Sequence, residues 1–369
     1  MHQRSISSLI GEQQRPKGVA SPQVDNYGDS SNPSFPVPMI SGWVPSTDGG
    51  ITTCDGATYW SSSTSDSLVV REFHDALMRN PDMAVAVSAI KALTSVMKKS
   101  TATTMMGLEK ELREAAASLS RCNPTAISLK AGCELFLRFV TRTTANAMEN
   151  ADFNVCKARL IERGNHFTET SIRARQAISE LGASFIRNNM TVLVHGDSRV
   201  VQALLQCAAS QGSNFSVIVT EGRPDGTGIT MARLLEKVGV PVTIVLDSAA
   251  GYVMDRVDMV LLGAEGVVES GGIINKLGTY QISLCAKALD VPVYVAAESY
   301  KFARLYPLNQ NDFPVNSKHV DFGPLLPKEV SVENPSADYT PPSCITLLFT
   351  DLGVLTPAAV SDELIQLYL

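Results

Sequence analysis

Three glycine-rich segments of this sequence carry side chains that could bind an anion. They read HGDSR (195–199), TEGRPDGTG (220–228) and GAEGVVESGGIINK (263–276). Backbone N–H groups at the start of a helix attract negative charge, and a nearby hydroxyl or guanidinium adds to that attraction. We therefore predict a site for phosphate, sulfate, a sugar phosphate or a nucleoside monophosphate, with no required cofactor. Its predicted contacts are His195, Ser198, Arg199, Thr220, Arg223, Glu265, Asn275 and Lys276.

The third segment gives the strongest of these signals. Gly271 and Gly272 are expected to open a helix that begins near Asn275, which would place Lys276 in its first turn. The helix dipole disfavours a cation at that position. Lys276 is therefore predicted to have an anionic partner, either a bound phosphate or the Glu265 carboxylate, and we favour the ligand over the salt bridge.

The other two segments leave alternatives open. An ordinary turn in which Asp197 or Ser198 caps the next helix explains HGDSR equally well. TEGRPDGTG lacks the lysine that follows the last glycine of a phosphate-binding loop, so nucleotide hydrolysis is not predicted, although Arg223 could contact a small anion. The five histidines are dispersed, none is paired with a cysteine at metal-ligand spacing, and there is no GxSxG motif. We expect neither a metal site nor a hydrolase nucleophile.

The three segments lie at the ends of apolar, β-branched runs that predict a buried parallel sheet. Five such runs alternate with helical patterns, which indicates a doubly wound α/β fold whose ligands bind at the carboxyl edge of the strands. The runs are VLVHGDSRVV (192–201), SVIVTEGRPDGTG (216–228), VTIVLDSAAG (242–251), MVLLGAEGVVESGGIINKLGT (259–279) and VPVYVAAESYKF (291–302).

Three regions follow one another along the chain. Residues 1–68 are rich in Ser, Pro and Gly, and we predict a disordered extension. Residues 69–187 show helical periodicity throughout and are predicted to form an all-helical domain, with Asp82 capping one of its helices. Residues 188–369 are predicted to form a Rossmann-like, doubly wound parallel-sheet domain that ends in a strand, a helix after Thr356 and a packed apolar terminus.

Composition narrows the class of function. The chain has 369 residues, a formal net charge of −6 and seven cysteines without CxxC pairs. A net negative charge argues against a general nucleic-acid binder. We find no apolar run of the length that crosses a membrane and no secretory signal, and the scattered thiols fit a reducing compartment. We expect a cytoplasmic protein without nucleic-acid or membrane partners.

Several strings resemble the alpha-subunit family of eukaryotic translation initiation factor 2B over about residues 70–369. The most specific are GAEGVVESGGIINKLGT, VAAESYKFARLYPLNQNDFP and ITLLFTDLGVLTPAAVSDELIQLYL, supported by ELFLRF, IERG and VLDSAAGYVMD. The family is similar to the sugar-phosphate isomerases that act on methylthioribose-1-phosphate and ribose-1,5-bisphosphate. That superfamily implies a helical domain before a Rossmann-like domain.

The resemblance also implies what chemistry is missing. In the isomerases a cysteine follows the His of the first strand-end motif and an aspartate lies in a GAD motif, whereas this sequence has Gly196 and Glu265 at those positions. Gly196 cannot exchange a proton, and the longer Glu265 would misplace its carboxylate. We therefore expect no isomerase activity, while the phosphate-binding residues around His195, Arg199 and Lys276 are kept.

By resemblance, the chain is expected to be a regulatory subunit of the guanine-nucleotide exchange factor for initiation factor 2. The family implies a homodimer formed by the Rossmann-like half, which joins the beta, gamma, delta and epsilon subunits into a decamer. It also implies that the helical domain helps to sense the phosphorylated alpha subunit of initiation factor 2, as part of the integrated stress response. A sugar-phosphate isomerase and a metabolite-binding regulator are the alternatives.

Overall fold

The structure of this protein is a computed structural model. It describes residues 67–80, 83–123, 125–147, 152–318 and 329–368, together with residues 51, 52, 58, 59, 320, 322 and 327. Most of the predicted extension at 1–68 and the predicted cap Asp82 lie outside the described residues. Within the extension, β1 (Ile51–Thr52) pairs with β2 (Thr58–Tyr59) in a short antiparallel ladder.

Five helices come first. They are α1 (Leu68–Arg79), α2 (Val85–Lys99), α3 (Met105–Cys122), α4 (Ile127–Ala147) and α5 (Phe153–Ala183). Apolar residues at intervals of three and four give each helix one buried stripe, and these stripes share a core that includes Phe73, Leu93 and Leu112. A Cβ on Gly164 would lie 2.5 Å from Oγ1 of Thr94, so this glycine lets α5 approach α2 closely.

The main sheet follows. Its strands are β3 (Thr191–His195), β4 (Ser216–Thr220), β5 (Val242–Val245), β6 (Met259–Gly263), β9 (Val293–Ala296), β12 (Leu347–Thr350) and β13 (Gly353–Leu355). The strand order is β13-β12-β9-β6-β3-β4-β5, and all neighbours are parallel except the β12–β13 pair. The helices that follow these strands are α6 (Arg199–Ser210), α7 (Gly228–Lys237), α8 (Ala250–Val253), α9 (Thr279–Ala288) and α10 (Val360–Tyr368).

Both faces of the sheet are covered. Val192 and Val194 of β3 belong to one hydrophobic cluster, and Leu193 between them belongs to another, as the alternation of side chains along a strand requires. A helical region followed by a doubly wound, mostly parallel sheet is thus confirmed. Residues 48–369 form one compact unit, so the domain boundary at residue 187 stays a prediction.

A second, four-stranded sheet corrects one sequence prediction. It contains β7 (Gly266–Val268), β8 (Ile273–Lys276), β10 (Phe302–Ala303) and β11 (Ala337–Thr340), in the order β10-β7-β8-β11. The helix predicted to begin near Asn275 is wrong, because residues 273–276 pair with β7 and β11 on both sides. The helix starts only at Thr279, after Gly278 at φ +104°.

The end of the chain follows the predicted order of strand and helix. The apolar terminus is packed in part, since Leu364 is buried and Leu367 is half-buried in the cluster beside β12. Residues 307–342 are rich in proline, yet they include β11, which pairs with β8. Among the described residues, no helix is both long enough and apolar enough to span a bilayer.

Candidate functional site

The turns after β3, β4 and β6 lie against one another at the carboxyl edge of the main sheet. A Cβ on Gly222 would stand 3.0 Å from the Cα of Gly196, and a Cβ on Gly263 would overlap the Ser198 hydroxyl. Gly196 and Gly222 also have φ values of +58° and +71°, a backbone region that other residues rarely adopt. Glycine at these positions therefore brings three of the predicted segments into contact.

His195 lies under these turns as a structural support. Its Nδ1 is 2.7 Å from Oγ1 of Thr220, and its Nε2 is 2.9 Å from the carbonyl oxygen of Leu277. Because a carbonyl only accepts, Nε2 carries the proton, and in the neutral ring Nδ1 accepts from the Thr220 hydroxyl. Burial lowers the pKa of His195, although Asp247 at 3.8 Å opposes that shift. Neutral His195 thus links β3, β4 and the turn after β8.

Arg223 contacts residues of its own loop and of the neighbouring turn after β5. Its Nε donates to Oε2 of Glu221 at 3.0 Å, and its backbone N–H donates to Asp247 at 2.7 Å. Its side chain is 71% exposed. His195, Thr220 and Arg223 therefore lie outside the lining of the nearest cavity, whereas the other five predicted contacts line it.

This cavity of about 200 Å³ lies between the α2 and α4 helix starts and the carboxyl edge of the main sheet. We call it the junction cavity. Charged side chains of both signs line it: Arg199, Lys276, Lys301 and Lys318 are cations, and Asp197, Asp225, Glu265 and Glu298 are carboxylates. Ser198 and Asn275 complete the set of predicted contacts found there. Lys301, Lys318 and Glu298 were missed by the sequence analysis.

Lys276 reaches the cavity from a strand. Its Nζ donates to Oγ1 of Thr227 at 3.2 Å, so its hydrogen bond is to a neutral hydroxyl. Because Lys276 lies in a strand, no helix dipole acts on it as predicted. Its predicted partner Glu265 is an exposed residue after β6. The helix start is instead occupied by Asp338 of β11, whose Oδ2 accepts from the N–H groups of Gly278 and Tyr280.

A buried charged cluster forms another wall of the junction cavity. Glu298 follows β9, and its carboxylate lies 2.8 Å from Nζ of Lys301 and 3.9 Å from Nε of Arg175. Burial would raise the pKa of Glu298, but Lys301, a backbone hydrogen bond and, to a smaller extent, Arg175 outweigh burial and hold that pKa at about 2. Nearby, Nη1 of Arg199 donates to the carbonyl of Met83 at 3.1 Å. The helical region and the sheet are thus joined at this wall.

A second cavity, of about 1170 Å³, lies among the helices. We call it the arginine cleft, because its lining includes five arginines: Arg113, Arg138, Arg142, Arg163 and Arg304. Phe136, Phe139 and Phe167 supply an apolar floor, and the Arg163 guanidinium stacks over the Phe139 ring at 5.4 Å.

Within the described part of the chain, no group of three His, Cys, Asp or Glu side chains could hold a metal ion.

Comparison with known proteins identifies the family. The model of the initiation factor 2 subunit family matches residues 79–357. The chain belongs to this family. It is 47% identical over 312 residues to translation initiation factor eIF2B subunit alpha of Dictyostelium discoideum, covering 81% of this chain and 96% of that protein. Membership places the chain among translation initiation factor subunits.

Two further proteins are similar to this chain, the first in sequence and the second in fold alone. The ribose 1,5-bisphosphate isomerase of Pyrococcus furiosus is 33% identical over 311 residues, covering 81% of this chain and 94% of the isomerase. The crystal structure of the tetrameric eIF2B-beta2-delta2 complex from Chaetomium thermophilum contains a chain of the same fold. That chain superposes with a TM-score of 0.67 at 19% identity, over 84% of this chain and all of its own.

Proposed function

We propose that this chain is a regulatory, non-catalytic subunit of the guanine-nucleotide exchange factor for initiation factor 2, with a junction cavity that binds a small phosphorylated ligand without converting it. The observation that carries the proposal is the position of Gly196. A Cβ on this residue would stand 2.9 Å from Oγ1 of Thr227 and 3.8 Å from Cδ of Lys276. A side chain at 196 would therefore face the cation of the cavity, and glycine provides no group there that could transfer a proton.

The packing is fitted to glycine at this position. A cysteine would displace the Thr227 hydroxyl, which accepts from Lys276 and from the backbone N–H of Asp197 at 3.3 Å. Lys276 and Ser198 remain at the cavity, beside the backbone of the β3–α6 turn. Binding can thus be retained while the proton transfers of an isomerase are lost.

Lys276→Ala tests the binding site. Losing a charge-assisted hydrogen bond costs roughly 1.5–3 kcal/mol, so the variant should bind ribose 5-phosphate or AMP about tenfold to a hundredfold more weakly in calorimetric titrations. Lys237→Ala, an exposed lysine at the end of α7, is the matched control and should bind as the parent does. Equal binding by all three proteins would place the ligand elsewhere.

An activity assay on the same purified protein distinguishes the regulatory subunit from the isomerase. We expect no conversion of ribose-1,5-bisphosphate or methylthioribose-1-phosphate above a buffer blank. Turnover that Lys276→Ala abolishes would favour the isomerase. A metabolite-binding regulator is compatible with the proposed subunit, because both need the cavity to bind and neither needs it to react.

Homodimer formation is supported by the sheet edge at β5. Ile244 in this edge strand is 47% exposed, Leu246 just after it is 59% exposed, and Tyr252 in the following helix α8 is 85% exposed. Exposed apolar edge strands usually pair with another chain or are covered. A two-fold dimer would bury this edge against its own copy.

Leu246→Asp should convert the dimer into a monomer in sedimentation-velocity experiments at micromolar concentration. Leu352→Asp is the control, because Leu352 is similarly exposed in the turn between β12 and β13 at the opposite edge. Dissociation by Leu352→Asp and not by Leu246→Asp would put the interface at the other edge. A parent that sediments as a monomer would contradict dimer formation itself.

The arginine cleft supports the proposed response to phosphorylated initiation factor 2. Arginine forks pair with phosphate oxygens, and the cleft gathers four arginines of the helical region together with Arg304, which follows β10. In this proposal the beta, gamma, delta and epsilon subunits supply the rest of the assembly. Arg142→Glu should weaken binding of the phosphorylated alpha subunit more than binding of its unphosphorylated form. An equal effect on both forms would exclude phosphate recognition by Arg142.

A further inference from the structure

Residues 316–318 cross the junction cavity as a strap. Nδ2 of Asn316 donates to Oγ1 of Thr125, just before α4, at 2.5 Å. Nζ of Lys318 lies 2.9 Å and 3.1 Å from the two carboxylate oxygens of Asp225, in the loop after β4. Backbone hydrogen bonds to residues 334 and 336 hold the strap from behind. The strap thus ties the helical region and the main sheet together across the cavity.

Two lysines therefore contact the same loop. Lys276 contacts Thr227, and Lys318 contacts Asp225 two residues earlier. Their ammonium groups differ in one respect: the first faces a neutral hydroxyl and the second faces a carboxylate. An anion that enters beside Lys276 gains the full charge of the second ammonium group only when Asp225 no longer neutralises it, because the carboxylate and the anion compete for the same cation.

The cavity contains a second lysine–carboxylate pair, Glu298–Lys301, which differs from Asp225–Lys318 in its burial. The side chains of Glu298 and Lys301 are 3% and 17% exposed, and breaking a buried pair leaves a charge without solvent. Asp225 and Lys318 are 22% and 26% exposed, so water can replace either partner at small cost. The Asp225–Lys318 pair is the exchangeable one.

We propose that Asp225 competes with the anionic ligand for Lys318 and thereby sets the affinity of the junction cavity. The ligand class is a phosphoryl or sulfate group, whose oxygens replace the Asp225 carboxylate as the acceptors of the Lys318 ammonium. The inference rests on the proposed ligand-binding function. It makes the unusual prediction that neutralising a carboxylate that lines the cavity tightens binding.

The test is a double-mutant cycle measured by calorimetric titration with ribose 5-phosphate. Asp225→Asn should lower Kd about tenfold, and Lys318→Met should raise it about tenfold, since each change removes one charge-assisted bond from one side of the exchange. In the Lys318→Met background, Asp225→Asn should change Kd less than about twofold, because the competition is gone. Melting curves of each variant check that the fold is kept.

Asp290→Asn controls for net charge. Asp290 is an exposed residue before β9, outside the lining of the cavity, and its replacement removes the same charge. If Asp225→Asn tightens binding no more than Asp290→Asn, or does so equally without Lys318, competition is refuted. Binding by the parent that Lys276→Ala weakens but Asp225→Asn leaves unchanged overturns this inference alone. A parent that binds no sugar phosphate overturns the proposed binding function, and this inference with it.

Discussion

Two buried carboxylates beside the junction cavity have pKa values displaced in opposite directions. The pKa of Glu298, after β9, is held at about 2, and the pKa of Asp338, in β11, is raised to about 7. Burial pushes both values upward. Glu298 has Lys301 and Arg175 close by, whereas Asp338 is offered the backbone N–H groups of Gly278 and Tyr280. Two N–H dipoles do not offset burial at Asp338, whereas the charge of Lys301, with help from a backbone hydrogen bond and Arg175, does so at Glu298.

The same contrast applies to the lysines. Lys301 lines the cavity, but a buried carboxylate already holds its charge. Lys276 donates to a hydroxyl and Lys318 to a part-exposed carboxylate, so these two charges can serve a ligand. In the binding site that we propose, the burial of the partner carboxylate therefore separates the structural Lys301 from the two lysines available to a ligand.

Glu298→Ala should give the largest loss of stability. It leaves Lys301 and Arg175 beside a buried site without their carboxylate, and breaking such a pair costs about 3–5 kcal/mol. Glu269→Ala is the control, because Glu269 pairs with Arg304 at 3.5 Å near the surface and should cost less than about 1 kcal/mol. Urea unfolding at pH 7 measures both. Equal losses would mean that burial does not separate the two pairs.

Asp338 should make stability depend on pH in the neutral range. Its folded pKa of about 7 lies above the ordinary value of 3.8, so between these values the folded chain binds more protons than the unfolded chain. Stability therefore falls as the pH rises across that window, by at most about 4 kcal/mol at ~1.4 kcal/mol per pKa unit. Asp338→Asn does not titrate, and its unfolding free energy relative to the parent should increase from pH 4 to pH 8.

At acid pH, the dependence of stability on pH should come from Glu298. Its folded pKa of about 2 lies below the ordinary 4.5, so its contribution is complete above pH 4.5 and is lost as the pH falls toward 2. Glu298→Gln should reduce the change of unfolding free energy with pH below pH 4.5 and leave its change near neutral pH in place. Asp338→Asn should reduce the change near neutral pH and leave the change at acid pH in place. Variants with parallel pH profiles in both ranges would contradict the opposite shifts.

Much of the cavity could be predicted because parallel strands end at one edge of a sheet. Ser198 and Arg199 follow β3 directly, and their place at the cavity follows from the strand prediction alone. Glu298 follows β9 in the same way, and applying that rule to the run VPVYVAAESYKF would have found it. The low pKa of Glu298 could not be predicted in full, because Arg175, one of the two cations that lower it, comes from the distant helix α5.

The hairpin around Lys276 shows why local patterns fail. Gly271 and Gly272 lie between β7 and β8, and hydrogen bonds between Val268 and these two glycines close a tight turn. A glycine pair between β-branched runs is a hairpin signal as well as a helix start, and pairing with β11, some sixty residues later, decides between them. The strap residues Asn316 and Lys318 carry no local signal, since only tertiary packing brings them to the cavity.

The smallest expected effect on stability is that of the strap pair. Asp225 and Lys318 are part-exposed, so their coupling energy in a double-mutant cycle of urea unfolding should be below about 1 kcal/mol and should decrease with salt. The same two substitutions should nevertheless move ligand affinity in opposite directions. If the pair is exchangeable, the coupling energy between Asp225 and Lys318 should be small in the unfolding cycle and large in the ligand-binding cycle. A coupling above about 2 kcal/mol would make this pair resemble Glu298–Lys301, and a fixed pair could not release Lys318 to a ligand.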